Sequence, residues 1–139
     1  MKSVLIIFLL VFTFKTNAQS CKFINHTFLQ ACINNEKFDL YFRLKETDLL
    51  ILMDSNNYFS NYNHLTLSNR QIVLKKEISY HVEKKNEAKK EEIVIYKVDC
   101  IKNTYYIYFW QPLTNSTLIF LVKPKYKHIQ VKIIGEGVF

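Results

Sequence analysis

The chain has 139 residues, 49% of them hydrophobic and 15% aromatic, and carries 19 Lys and Arg against 12 Asp and Glu. Only two Gly and two Pro occur, with no internal repeat or low-complexity tract, so no linker divides it into two domains. Both glycines, Gly135 and Gly137, lie in the tail, which excludes a glycine-rich phosphate loop.

The chain opens with Met1 and Lys2, runs through eleven mostly apolar positions from Val4 to Phe14, and reaches T-N-A-Q-S at Thr16 to Ser20. A basic start, an apolar run and small residues three and one before a cut after Ala18 predict a secretory signal peptide over residues 1–18. Eleven helical residues would cover only about 17 Å of a hydrocarbon layer of roughly 30 Å, and Lys15 closes the run, so an uncleaved anchor is disfavoured. A lipid on Cys21 is disfavoured too, because Ala18, Gln19 and Ser20 lack the large aliphatic residue usual three places upstream.

Cleavage leaves one secreted or periplasmic domain over residues 19–139. Loss of Lys2 and Lys15 lowers the formal charge from +7 to +5, a modestly basic balance that suits solubility or loose attraction to acidic partners. Export removes the chain from most nucleic acid, and after the leader no apolar run is long enough to cross a bilayer as a helix.

One helix is predicted from Asn25 to Asn34, where Phe28, Leu29, Cys32 and Ile33 form an apolar stripe. "EKFDLYFRLKE" then alternates, with Phe38, Leu40, Phe42 and Leu44 on one side and charged residues with Tyr41 on the other, which predicts a strand. A buried strand follows at Asp48 to Asp54, a long Asn- and Ser-rich loop at Ser55 to His64, and shorter strands at Gln71 to Lys75 and Ile78 to Val82. Glu83 to Glu92 reads as a solvated charged block.

Four strands close the chain: Ile93 to Val98, Thr104 to Trp110, Ser116 to Val122 and His128 to Ile134. In the last, Ile129, Val131 and Ile133 point inward, and "GEGVF" reads as a tail leaving the strand. Strands 11 to 12 residues apart with short links predict antiparallel hairpins and leave no room for helical crossovers. The expected fold is mainly β: a small antiparallel β-barrel or two-layer β-sandwich of about eight strands, with one short N-terminal helix.

"TYYIYFW" puts Tyr105, Ile107 and Phe109 on one face and Tyr106, Tyr108 and Trp110 on the other. One reading makes this a central strand held by cross-strand ring pairs. The other gives Tyr106, Tyr108 and Trp110 to a partner, joined by Tyr41, Tyr58 and Tyr62 if that loop folds over the sheet, because such rings offer large contact area at small entropic cost.

Cys21, Cys32 and Cys100 allow one disulfide, with Cys100 expected to pair with Cys32 or Cys21. Asn25 and Asn115 head glycosylation sequons that matter only in a eukaryotic secretory route. His26, His64, His81 and His128 show no ligand spacing, and no acid, base or nucleophile is placed by motif, so neither metal nor cofactor is expected. The expected function is noncatalytic binding of a protein partner outside the cytoplasm, as an inhibitor or immunity-like protein, with a monomer as the default. The alternatives are a barrel carrier of a small apolar ligand and a secreted enzyme.

Overall fold

A computed structural model describes Ile24 and residues 26–45, 49–59, 71–76 and 89–138. The leader, Cys21, Asn25, Tyr62, His64, His81, the expected strand at Ile78 to Val82 and most of the charged block lie outside the described residues.

The expected first helix is present as α1 (His26–Ile33), which buries Phe28, Leu29, Cys32 and Ile33. The next segment is a correction: Glu36–Phe42 forms a second helix, α2, where alternation predicted a strand. Its pattern satisfies two periods at once, since Phe38 and Phe42 also stand four apart, one above the other on a helix. Local capping favours the helical period. The Asn35 side chain accepts the Lys37 N–H at 3.1 Å, and Glu36 and Asp39 lie in the first turn, where the helix dipole favours acids. At the other end Arg43 adopts φ 53°. Leu44 N–H bonds Asp39 O at 2.9 Å and Arg43 N–H bonds Leu40 O at 3.4 Å, which together satisfy two carbonyls of the last turn. Phe38 and Phe42 are buried, whereas Leu40, inward in the strand reading, is 79% exposed.

Six strands follow: β1 (Leu50–Met53), β2 (Ile72–Lys75), β3 (Glu92–Ile101), β4 (Thr104–Gln111), β5 (Ser116–Pro124) and β6 (Ile129–Val138). They form one sheet in the order β2-β1-β3-β4-β5-β6. The mainly-β expectation holds, and the arrangement is sandwich-like in having two layers around one core, with the helices on one sheet face as the second layer.

Three finer points are corrected. Among the described residues no pairing joins β6 back to β2, so the sheet does not close into a barrel. Among the described residues there are six strands and two helices, the second helix standing where a strand was expected. The sheet is mixed, because β1 runs parallel to both β2 and β3, while β3 to β6 are antiparallel. The connections over 54–71 and 76–91 exceed the dozen residues or so that a parallel crossover needs. In the antiparallel half the links are tight: Lys102 and Asn103 both take positive φ between β3 and β4, as a two-residue hairpin of type I′ requires. The "GEGV" residues do not leave the last strand but continue β6 to Val138.

The core between the helices and the sheet is aromatic. Phe38 of α2 meets Phe109 of β4 edge-on at 5.3 Å and Phe42 at 5.0 Å, and Phe109 meets Phe120 of β5 at 5.8 Å. Ile107, Leu118 and Val122 complete the sheet side with no exposed surface. Ile129, Val131 and Ile133 pack against this core, as their alternation predicts.

One polar side chain stitches the layers. Gln111, 1% exposed at the end of β4, donates from Nε2 to Phe42 O of α2 at 3.1 Å and to Lys90 O before β3 at 2.7 Å. Its Oε1 accepts from the Thr114 hydroxyl in the β4–β5 turn. Gln111→Leu removes both bonds, stripping a buried donor from Phe42 O and a half-buried one from Lys90 O. It is expected to lower unfolding stability by about 1–3 kcal/mol or more in urea denaturation. A variant within about 0.5 kcal/mol of the parent contradicts this role.

Asp54, at the end of β1, is 1% exposed, and its carboxylate accepts the N–H groups of Tyr58 at 3.0 Å and Phe59 at 2.7 Å. Burial raises its pKa, outweighing the backbone N–H bonds that lower it. The folded chain therefore holds this proton more tightly than the unfolded chain, and the group's contribution to stability falls as pH rises from about 3.9 through the raised folded value. For Asp54→Asn, the stability gap to the parent is expected to drift in the variant's favour between about pH 4 and pH 7. Urea unfolding across that range checks the drift, and movement in the parent's favour contradicts it.

Candidate functional site: the aromatic face of the sheet

The sheet has one face toward the helices and one turned away. The pairing registers decide which side chains reach the outer face. Tyr106 of β4 stands between Asp99 of β3 and Leu121 of β5, Tyr108 between Lys97 and Ile119, and Trp110 between Val94 and Thr117. Tyr105 pairs with Cys100 and Val122, so it belongs with Ile107 and Phe109 on the helix side. The alternation read in "TYYIYFW" is the alternation found.

The neighbouring strand contributes what the sequence reading missed. A bulge interrupts the β3–β4 register between Ile95 and Lys97. Strict alternation from Ile93 and Ile95 inward would send Lys97 and Asp99 to the core and Val98 outward. The extra residue reverses this: Val98 packs against the main core, and Lys97 and Asp99 share the outer face with Tyr96. Tyr96 was within reach of the sequence, since alternation in "IVIY" already points it outward.

The resulting cluster is closely connected. The Tyr96 and Tyr108 rings meet edge-on at 5.6 Å, and Lys97 Nζ stands 5.2 Å from the Tyr108 ring centroid. Lys97 also pairs with Asp99 at 2.7 Å, which with its hydrogen bond raises the Lys97 pKa. Burial raises the pKa of Tyr96 and of Tyr108, reinforced at Tyr108 by the Asp99 charge, so both phenols are neutral near pH 7. The cluster therefore presents hydroxyls and ring edges rather than a phenolate.

Trp110 plays a different part from the tyrosines. Its ring packs with Tyr96 on a small outer core of Ile51, Met53 and Val94. Its indole N–H donates to Asn115 Oδ1 at 3.1 Å, and Asn115 takes φ 55° at the end of the β4–β5 turn. The side chain of this sequon asparagine thus also holds the turn.

The structure brings together Tyr106, Tyr108 and Trp110, all half-buried, and adds Tyr96. It does not bring Tyr41 or Tyr58 to them: both pack against the main core on the helix side. Tyr62 lies outside the described residues.

The expected disulfide is corrected. Cys32 and Cys100 are both free thiols, Cys32 fully buried in α1 and Cys100 half-buried in β3. Phe28 rests against Tyr105 at 4.9 Å, and Tyr105 is the cross-strand neighbour of Cys100. The α1 residue seen packing beside the Cys100 position is therefore Phe28, four residues before Cys32. Burial pushes the Cys32 thiol well above its ordinary pKa, which keeps it protonated and unreactive. Among the described residues no group of three or more His, Cys, Asp or Glu is arranged to hold a metal ion, and no helix is long and apolar enough to cross a membrane.

No protein-family model matches the chain, and no curated protein or solved structure matches it significantly.

The geometry separates anchor from display. Trp110→Phe keeps the ring but loses the bond to Asn115, and is expected to cost about 0.5–1.5 kcal/mol. Tyr106→Ser, on the half-open face, is expected to stay within about 0.5 kcal/mol of the parent. Thermal melts of the two variants check the difference, and equal losses would remove the distinction.

Proposed function

We propose that this chain is a noncatalytic protein-binding domain of the inhibitor or immunity type, acting outside the cytoplasm, with the outer sheet face as its contact surface. The observation that carries the reading is the gathering of Tyr96, Tyr106, Tyr108 and Trp110 on the sheet face turned away from the helices. Tyrosine and tryptophan supply large, rigid contact area with few rotors to freeze, and they concentrate where interface energy concentrates. Here Tyr96 and Tyr108 hold each other, Lys97 lies by the Tyr108 ring and Asn115 holds Trp110, so for these three rings little ordering remains to be lost on association. The Lys97–Asp99 pair beside them supplies one charge of each sign for orienting a partner.

The carrier alternative depended on a barrel interior, and the space between sheet and helices is filled by Phe38, Phe42, Phe109 and Phe120. The localisation belongs to the same proposal and rests on the basic, apolar and small-residue sequence of residues 1–18.

The test is cross-linking capture of proteins from the source cell's exported fraction by the processed chain, compared with a Tyr106→Ser/Tyr108→Ser variant. A discrete partner retained by the parent, retained by Tyr41→Phe and lost by the double variant is expected. Equal capture by all three, or by none, overturns the assignment of the face.

A further inference from the structure

The helix side of the molecule holds a second candidate, separate from the aromatic face. A cleft of about 680 Å³ opens between α2, the β4–β5 turn and the end of β6, within the range of small-molecule sites. Its polar floor is closed on itself. Both Nε2 bonds of Gln111 go to backbone carbonyls, its Oε1 takes the Thr114 proton, and the Thr114 and Ser116 hydroxyls are in contact. Because Thr114 has spent its only proton on Gln111, Ser116 is the donor in that last contact. The floor is thus already satisfied and asks for no ligand hydrogen bond.

What remains open is apolar and cationic. Leu40 and Val138, 79% and 75% exposed, flank the cleft with the Tyr41 ring. Tyr41 is fixed there: its hydroxyl donates to Gly137 O at 3.0 Å and accepts the Gly137 N–H at 3.1 Å. Lys37 of α2, its C-cap Arg43 and one carboxylate, Glu136, line the cleft, and none of the three is ion-paired among the described residues. Among the side chains that line the cleft, two cations against one carboxylate leave one formal positive charge beside an exposed apolar wall, with Glu36 and Asp39 of α2 outside the lining.

We propose that this cleft binds a small amphipathic monocarboxylate, its apolar body against Leu40, Tyr41 and Val138 and its carboxylate toward Lys37 and Arg43. A neutral apolar ligand would leave the surplus charge unmet, and an amphipathic cation would be repelled by it. The site goes beyond the protein-binding reading and stands or falls independently of it, since no residue is shared with the outer face.

Octanoate, octylammonium and 1-octanol serve as probes in titrations followed by the methyl resonances of Leu40 and Val138. Octanoate is expected to shift both sets saturably and to bind at least about tenfold more tightly than octylammonium. Lys37→Gln/Arg43→Gln is expected to weaken octanoate about tenfold while leaving 1-octanol unchanged. Because Arg43 also caps α2, Leu40→Ser provides a second test: it is expected to weaken octanoate and 1-octanol together. Absence of saturable octanoate shifts overturns the proposal. So does equal affinity for octylammonium, or unaltered octanoate binding in a folded double-glutamine variant.

Discussion

The Phe38 ring is the contact on which the arrangement turns. It stands between α2 and the two central antiparallel strands, edge-on to Phe109 and stacked at 6.3 Å from Phe120. Its burial fixes which sheet face the helices cover, and with it the parity of every residue in β4 and β5. Once Phe109 and Phe120 point to Phe38, Tyr106, Tyr108 and Trp110 have only the other face to occupy. A register slip of one residue would exchange the two sets and place three polar-tipped rings in the core.

Gln111 adds direction to that nonpolar contact. Ring packing tolerates rotation and sliding, whereas the Nε2 bonds to Phe42 O and Lys90 O hold the end of α2 over one position of the sheet. The cleft on the helix side exists because of this placement, since its walls come from α2 and β6 and its floor from Gln111 and the turn that follows. The open edge of β6 is handled nearby. Tyr41 occupies the backbone N–H and C=O of Gly137, a register break lies opposite Ile119 and Phe120, and Lys132 faces solvent, each of which discourages another strand from adding there.

The antiparallel half was legible because its signals are local. Thr104 to Gln111 alternates without interruption, and the two-residue link at Lys102 and Asn103 leaves a single hairpin register. Glu36–Phe42 was ambiguous at the same level: Phe38 and Phe42 are two strand repeats and one helical turn apart, and the cap at Asn35 decides between them. The parallel pairing of β1 with β2 and β3 depends on contacts across long connections, for which no short-range pattern exists. The bulge after Ile95 was likewise hidden, since nothing in "IVIYKVDC" marks where a residue is added.

That bulge matters more for the surface than for the core. Without it Lys97 and Asp99 would enter the apolar side, where an unpaired charge costs several kcal/mol or is neutralised (roughly, for buried ions). With it Val98 completes the core, and the ion pair lies over Tyr108 instead. The same extra residue thus removes two buried charges and equips the aromatic face with its only adjacent ion pair among the described residues. The polar equipment of the candidate surface follows from the packing demand of Val98 on the opposite side of one strand, so the core and the outer face were specified together.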